Sequence, residues 1–326
     1  MDYRRLGRSG LAVSALGLGT NAFGKRCDRA ASTAIIDCAL DRGINFIDTA
    51  NIYAGTESET IIGHALSGKR DRAVLATKAG LPRREGPNGS GSSRHHLQRE
   101  LEESLKRLQT DYVDVYQIHT FDPYTPLEET LRALDDFVSA GKVRYIGASN
   151  YAAWELTKAL GISELRGFDR YVSVQTSYSL ADRTPERELV PACLDQGVGI
   201  IPYFPLAGGI LSGKYASDPS GTAPSGSRAE TDKGFNRFMN ERELALGHAV
   251  KRIAEAHGYR PGALSLAWLM ARPAVSTVIA GATRAEQLED NLSSLSIAMT
   301  AELEAELEAA SAPFRHGEPF ANYRLP

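Results

Sequence analysis

Four side chains in the N-terminal part of the chain have types that suit proton transfer to an oxygen. Asp48 closes the apolar run "INFID", Tyr53 follows five residues later, Lys78 closes "VLATK" and His119 closes "VYQIH". A phenol is a weak acid at neutral pH, but a nearby ammonium stabilises its phenolate and lowers its pKa. Lys78 supplies that charge, Asp48 keeps Lys78 protonated and oriented, and His119 is available to hydrogen-bond a substrate oxygen and Tyr53. Such a set suits protonation of a carbonyl oxygen, with a nicotinamide as the obvious source of hydride. Taken singly, each residue also has a structural explanation: Asp48 as a turn cap, Lys78 as a snorkelling chain, His119 as a satisfied core histidine and Tyr53 as a packing residue.

Position separates the two readings, and the elements set position. Short β-branched apolar runs alternate along the chain with longer helical patterns, the order expected of a parallel sheet built from βα units. Eight runs are present, starting at Ser14, Ile44, Ala73, Tyr112, Val143, Tyr171, Gly199 and Val275. Between them lie helical stretches such as "LQRELEESLKRL", in which Leu97, Leu101, Leu105 and Leu108 share a face. The expected fold is therefore α/β, a (β/α)8 TIM barrel forming one domain over residues 1–326. The surplus length falls in an N-terminal β-hairpin, "YRRLGRSGLAV", and in a Gly/Ser/Pro-rich loop from Tyr215 to Asn240. The rest is an extra C-terminal helix from Thr300 with a Pro-containing tail. In a barrel, polar residues at the C-terminal ends of strands face the active site. Asp48, Lys78 and His119 end three neighbouring strands, and Tyr53 lies one short loop past Asp48, so all four belong to one rim.

Composition excludes several other roles. The chain has 326 residues, is 42% hydrophobic and 24% charged, and carries a formal net charge of −3 with both signs mixed. That balance favours neither nucleic acid nor an anionic membrane as partner. No run reaches the ~18 consecutive apolar residues of a membrane span, and "MDYRRLGRSG" lacks the apolar stretch of a signal peptide. Cys27, Cys38 and Cys193 are odd in number, widely separated and form no CxxC pair, which points to a reducing cytoplasm. Oligomeric state leaves no signal in the sequence.

The segments "LGRSGLAVSALGLGT", "GINFIDTANIYAGTESETIIGHAL", "GKVRYIGASN" and "GATRAEQLEDN" follow one another in an order that resembles the aldo-keto reductases over nearly the whole chain. The resemblance implies metal-free (β/α)8-barrel oxidoreductases using NAD(P)H, acting on a small-molecule carbonyl or alcohol. It also implies that Asp48, Tyr53, Lys78 and His119 form a catalytic tetrad with Tyr53 as general acid. By the same resemblance Ser149, Asn150 and Gln175 bind the nicotinamide carboxamide, and Tyr203 stacks on the nicotinamide ring. Leu206, Gly208, Leu211, Gly213 and Lys214 run along the pyrophosphate, and the strand end Gly19, Thr20 and Asn21 lies near the cofactor. Gly281, Thr283, Arg284, Gln287 and Asn291 contact the adenosine end. Many NADP(H)-specific relatives carry lysine where this chain has Gly281 and arginine where it has Gln287. Arg284 is thus the one cation between Gly281 and Asn291, and the expectation is preferred NADP(H) with usable NAD(H).

Two further motifs are set aside. "GLGTNA" fits a loose dinucleotide fingerprint, but no helix opens within it and the next helical pattern starts near Arg29. His95 and His96 are adjacent rather than spaced for one helix face, so they are expected to be solvated loop residues and not metal ligands. The rim aromatics Phe23, Tyr53, Phe121 and Phe204 form an apolar wall suited to many aldehydes and ketones. The loop from Tyr215 to Asn240 is expected to fold over the dinucleotide. Alternatives are an aldose or sugar dehydrogenase, a nucleotide-binding redox-sensing regulatory subunit, and a Schiff-base aldolase at Lys78, the last disfavoured because the adjacent carboxylate keeps the amine charged.

Overall fold

A computed structural model describes residues 1–215, 235 and 239–325. Most of the Tyr215 to Asn240 loop therefore lies outside the described residues, and so does its expected closure over a cofactor. The N-terminal hairpin pairs β1 (Tyr3–Arg5) with β2 (Ala12–Ser14), antiparallel. Eight parallel strands follow: β3 (Leu16–Gly19), β4 (Phe46–Asp48), β5 (Val74–Ala79), β6 (Val113–Ile118), β7 (Val143–Ser149), β8 (Tyr171–Ser177), β9 (Gly199–Tyr203) and β10 (Val278–Gly281). Their order is β10-β3-β4-β5-β6-β7-β8-β9, and a bridge between Ile200 of β9 and Val275, just before β10, closes the barrel. Each expected strand is present, with shifted ends. The run from Val275 enters the β3 ladder only at Val278, and the run from Ile44 only at Phe46.

The helices include α1 (Arg29–Asp41), α2 (Glu57–Ala65), α3 (Arg94–Leu108), α4 (Leu127–Ser139), α5 (Ala153–Arg166), α6 (Leu189–Gln196), α7 (Glu241–Ala256), α8 (Pro261–Met270), α9 (Ala285–Leu292) and α10 (Ala301–Ser311). Side-chain caps fix several starts: Asp28 accepts from the Ala31 amide, Ser93 from His96 and Thr300 from Leu303. Leu97, Leu101, Leu105 and Leu108 of α3 are all buried, as their spacing predicts. His96 departs from expectation. It lies in the first turn of α3, fully buried, with Nδ1 3.0 Å from the Asn88 carbonyl oxygen, because the helix starts at Arg94 and turns this residue onto its apolar face. His95 is exposed, as expected, but it too lies in α3 and not in a loop.

Two apolar regions hold the barrel. The larger fills the space between strands and helices; the smaller, including Phe46, Val74, Ala76, Val115, Ile201 and Ile279, fills the barrel interior and is floored by Leu6 and Val13 of the hairpin segment. Gly7 lets that hairpin close: its φ is +55°, and a Cβ there would lie 2.3 Å from the Val172 carbonyl oxygen. Side chains alternate along a strand, so the next inward position above each floor residue is two residues further on. Phe46 is followed by Asp48, Ala76 by Lys78, Val115 by Gln117, Ser173 by Gln175 and Ile201 by Tyr203. On β4, β5, β6 and β9 the barrel interior thus changes from apolar to polar in a single step toward the C-terminal ends, while on β8 the buried Ser173 is already polar.

Candidate active site

Lys78 lies at the centre of that polar layer and is fully buried. Its Nζ donates to Asp48 Oδ2 at 2.6 Å, to the Thr49 carbonyl oxygen at 2.8 Å and to the Tyr53 hydroxyl at 3.3 Å. The other oxygen of Asp48 accepts from Gln117 Nε2 at 3.0 Å and from Gln175 Nε2 at 2.9 Å. The carboxylate is therefore held by three charged or amide donors at once, as a buried charge requires. His119 stands edge-on to Tyr53, with ring centroids 6.0 Å apart and an interplanar angle of 78°, and its buried Nδ1 has no partner among the described residues. All four expected residues thus meet in one place.

Electrostatics departs from expectation at Tyr53. Its pKa is raised well above the ordinary phenol value, first by burial and then by the Asp48 carboxylate and Tyr323. Burial is the largest of these causes, so desolvation of the phenolate sets the direction. The pKa of Lys78 is lowered by burial, against opposing contributions from Asp48 and Glu59. Burial and the Lys78 charge together push His119 well below the usual imidazole range, so it is neutral at neutral pH. The site at rest holds a protonated phenol and a neutral imidazole. That arrangement can give up a proton to an oxygen bound between them.

The neighbouring positions divide into engaged and open groups. Asn150 donates to the His119 carbonyl oxygen and to Ser149 Oγ, and accepts from the Tyr203 hydroxyl at 2.7 Å. Gln175 commits its amide nitrogen to Asp48 and Gln117. Thr20 is buried in a hydroxyl cluster with Ser58 and Thr49, so its side chain serves the fold, while Gly19 pairs with Asp48 and Gly281, and Asn21 is exposed. Leu211 is a core residue, Leu206 and Gly208 are half-buried, and Gly213 ends the turn with φ +78°. Lys214 folds across Gly209 and over the Tyr215 ring. Past β10, Arg284 is the exposed N-cap of α9, and Gln287 turns back to accept from the Thr283 amide and hydroxyl at 2.8 and 3.0 Å. Asn291 is buried, and its Nδ2 has no partner among the described residues. Phe23 is not on the rim: it is fully buried in the outer core, whereas Phe121 and Phe204 are half-buried at the mouth.

Two parts of the site were missed from sequence. Gln117 is one; its signal was a polar residue in the middle of the apolar run "VDVYQIH". The other is the C-terminal tail. Its Tyr323 carbonyl oxygen accepts from Thr120 Oγ1 at 2.6 Å, Ala321 accepts from the Tyr203 hydroxyl at 3.0 Å, and Phe320 donates its amide to Asp182 at 2.8 Å. Arg324 Nη1 donates to both carboxylate oxygens of Glu155, at 2.8 and 3.0 Å. Nothing local in "PFANYRLP" indicates that these residues return to the barrel mouth.

The family model for the Aldo/keto reductase family matches residues 15–312, and the chain belongs to that family. It is therefore an NAD(P)H-dependent oxidoreductase, of a family that acts on small-molecule carbonyl substrates. Among similar proteins, "Uncharacterized oxidoreductase YrpG" of Bacillus subtilis (strain 168) is 40% identical, covering 93% of this chain and 94% of its own. "Probable voltage-gated potassium channel subunit beta" of Arabidopsis thaliana is 37% identical over 91% and 92%. "Versiconal hemiacetal acetate reductase" of Aspergillus parasiticus is 34% identical over 93% and 94%. No helix among the described residues is long and apolar enough to cross a membrane, and no group of three or more His, Cys, Asp or Glu among them could hold a metal ion.

Proposed function

We propose that the protein reduces aldehydes or ketones with NADPH, Tyr53 giving the proton to the carbonyl oxygen, and that alcohol oxidation is the reverse of this reaction. The observation that carries this reading is the Lys78 ammonium placed between the Asp48 carboxylate and the Tyr53 hydroxyl, with His119 edge-on beside it. Tyr53 rests protonated, so the acid is loaded across the physiological pH range. As its proton leaves, Lys78 at 3.3 Å stabilises the growing phenolate, and Asp48 keeps Lys78 charged against burial. Neutral His119 holds the substrate oxygen against Tyr53. A nicotinamide dinucleotide held there would supply the hydride.

Residues of this chain fit such a dinucleotide. Ser149, Asn150, Gln175 and Tyr203 would hold its nicotinamide end, and the glycine-rich turn from Leu206 to Lys214 would follow the pyrophosphate. Gly281, Thr283, Arg284, Gln287 and Asn291 would take the adenosine end. Two features support the last group: the buried, unpartnered Asn291 Nδ2, and an exposed Arg284 with no ion pair among the described residues. Arg284 is the reason to favour NADP(H) over NAD(H), since a guanidinium matches a 2′-phosphate.

The test replaces Tyr53 with Phe and follows reduction of a carbonyl panel that includes 4-nitrobenzaldehyde and several aldoses, at 340 nm. Tyr53→Phe deletes only the transferable proton, so turnover should fall by ~100- to 10,000-fold while cofactor binding survives. Near wild-type turnover with an intact fold would refute the role of Tyr53, and activity confined to aldoses would favour a sugar dehydrogenase. A nucleotide-sensing regulatory subunit is a second reading, supported by the name of the plant relative. Sustained steady-state turnover counts against it.

A further inference from the structure

Behind the site, two carboxylates on helices are fully buried, and they are matched differently. Glu59 of α2 accepts from Thr77 Oγ1 at 2.5 Å and from Arg107 Nε at 2.7 Å, so an arginine closes its charge directly. Glu100 of α3 meets its arginines at longer range: Arg84 Nε donates to it at 3.4 Å and Arg99 Nε lies at 3.7 Å, both partly exposed. Its shortest partner is Asn51 Nδ2 at 2.9 Å. Asn51 is itself fully buried and lies two residues before Tyr53, in the loop that joins Asp48 to the phenol.

That loop has backbone hydrogen bonds of its own, from the Tyr53 amide to the Ala50 carbonyl oxygen at 3.1 Å and from Gly55 to Ile52 at 3.3 Å, but part of its backbone is unfavourable. Directly after Tyr53, three consecutive residues have left-handed backbone: Ala54 at φ +49°, Gly55 at +67° and Thr56 at +98°. Two of them carry a Cβ, and such conformations persist only when the surroundings over-determine them. Upstream of Tyr53, Asn51 provides the anchor. Its backbone amide donates to the Lys78 carbonyl oxygen at 3.1 Å, and its side chain donates to Glu100.

We propose that Glu100 is a positioning residue: through Asn51 it fixes the loop that carries Tyr53, and so sets the phenol within reach of Lys78. This rests on the reductase reading given above, with Tyr53 as the acid. Loss of the tie lets the phenol shift by a fraction of a side chain, and misplacement of about 1 Å costs on the order of a hundredfold in rate.

The experiment compares Glu100→Ala, Glu100→Gln and Asn51→Ala in the full chain, by 4-nitrobenzaldehyde reduction, NADPH fluorescence titration and hydrogen exchange of residues 49–53. Glu100→Ala and Asn51→Ala should lose roughly ten- to a hundredfold in kcat, with NADPH affinity within about twofold and faster exchange in the loop. Glu100→Gln keeps an acceptor for Asn51 but removes the charge facing Arg84 and Arg99. It should recover most of the rate if the loop tie matters, and none if the role is an ion pair. Adding Asn51→Ala to Tyr53→Phe should cost nothing further, since the tie acts through the phenol. Unchanged loop exchange in Asn51→Ala overturns the proposal, and this holds even where Glu100→Ala does not fold. An equal further loss in the Tyr53→Phe background also overturns it. A wild-type rate in Tyr53→Phe would instead sink the reductase reading, while the exchange result still decides whether Glu100 orders the loop.

Discussion

The mouth of the barrel and the helix start after β10 are built on opposite terms. At the mouth, Asp48, Lys78, Gln117 and Gln175 are no more than 2% exposed, and each holds another of the set in place. Past β10, Arg284 is exposed, and its side chain holds nothing among the described residues. The first region cannot lose a member without leaving a charge or amide stranded in low dielectric. The second can change freely. Chemistry and stability should therefore be coupled at the mouth and separate at the adenosine end.

Lys78→Met should give the largest effect. It removes the positive partner of a buried pair, which typically costs about 3–5 kcal/mol of stability, and it withdraws support for the phenolate, lowering turnover by roughly a hundredfold or more. Urea unfolding and steady-state rates measured side by side on the same preparation read both losses. A Lys78→Met protein of wild-type stability would break the comparison, and full activity across pH would remove Lys78 from the mechanism.

Arg284→Ala should change binding alone. A hydrogen bond to a charged group contributes about 1.5–3 kcal/mol, so NADPH affinity should fall by roughly ten- to over a hundredfold while NADH affinity hardly changes. Exposed substitutions of this kind usually shift stability by less than about 0.5 kcal/mol. Fluorescence titration of both nucleotides checks the first expectation and the urea midpoint the second. Equal losses for NADPH and NADH would mean that Arg284 does not read the 2′-phosphate.

The smallest effect expected is on pH dependence. His119 has a depressed pKa in the folded state, so below about pH 6.5 the unfolded chain binds a proton that the native chain refuses. Stability attributable to this group is present above pH 6.5 and declines as pH falls, with a slope of up to about 1.4 kcal/mol per pH unit. His119→Gln should flatten that slope in denaturation experiments between about pH 5 and 7. An unchanged slope would assign the acid sensitivity to other groups.

Much of this architecture was legible because it rests on period. Alternation at two and at three-and-four gave the eight strands, the face of α3 and the strand-end places of Asp48, Lys78 and His119. The misreadings came from residues whose environment is made by distant segments. Phe23 reads as a rim aromatic because it follows a strand end, but the turn after β3 folds it into the outer core. His96 reads as a loop residue until the cap at Ser93 starts a helix before it. Glu100 shares its helix face with Leu97, Leu101 and Ser104, so an acid on a buried face was visible, but its partner Asn51 comes from another element. The tail contacts at Thr120 and Tyr203 join residues about two hundred and over one hundred positions apart, beyond any local pattern. The direction of the Tyr53 shift is set first by burial of the phenol, which spacing along the chain does not contain.

The two-residue step from floor to polar layer has a consequence for how such a molecule can diverge. A one-residue slip in the register of β4 or β5 would swing Phe46 or Ala76 outward together with Asp48 or Lys78 above it. Lineages carrying such a change would lose the fold and the reaction in one event, so selection for a folded chain also guards the reaction centre. Outside the loop that carries Tyr53, the segments above the rim take no part in that alternation. New substrates can be acquired there by gradual drift, over a barrel that inherits its chemistry and its core as a single trait.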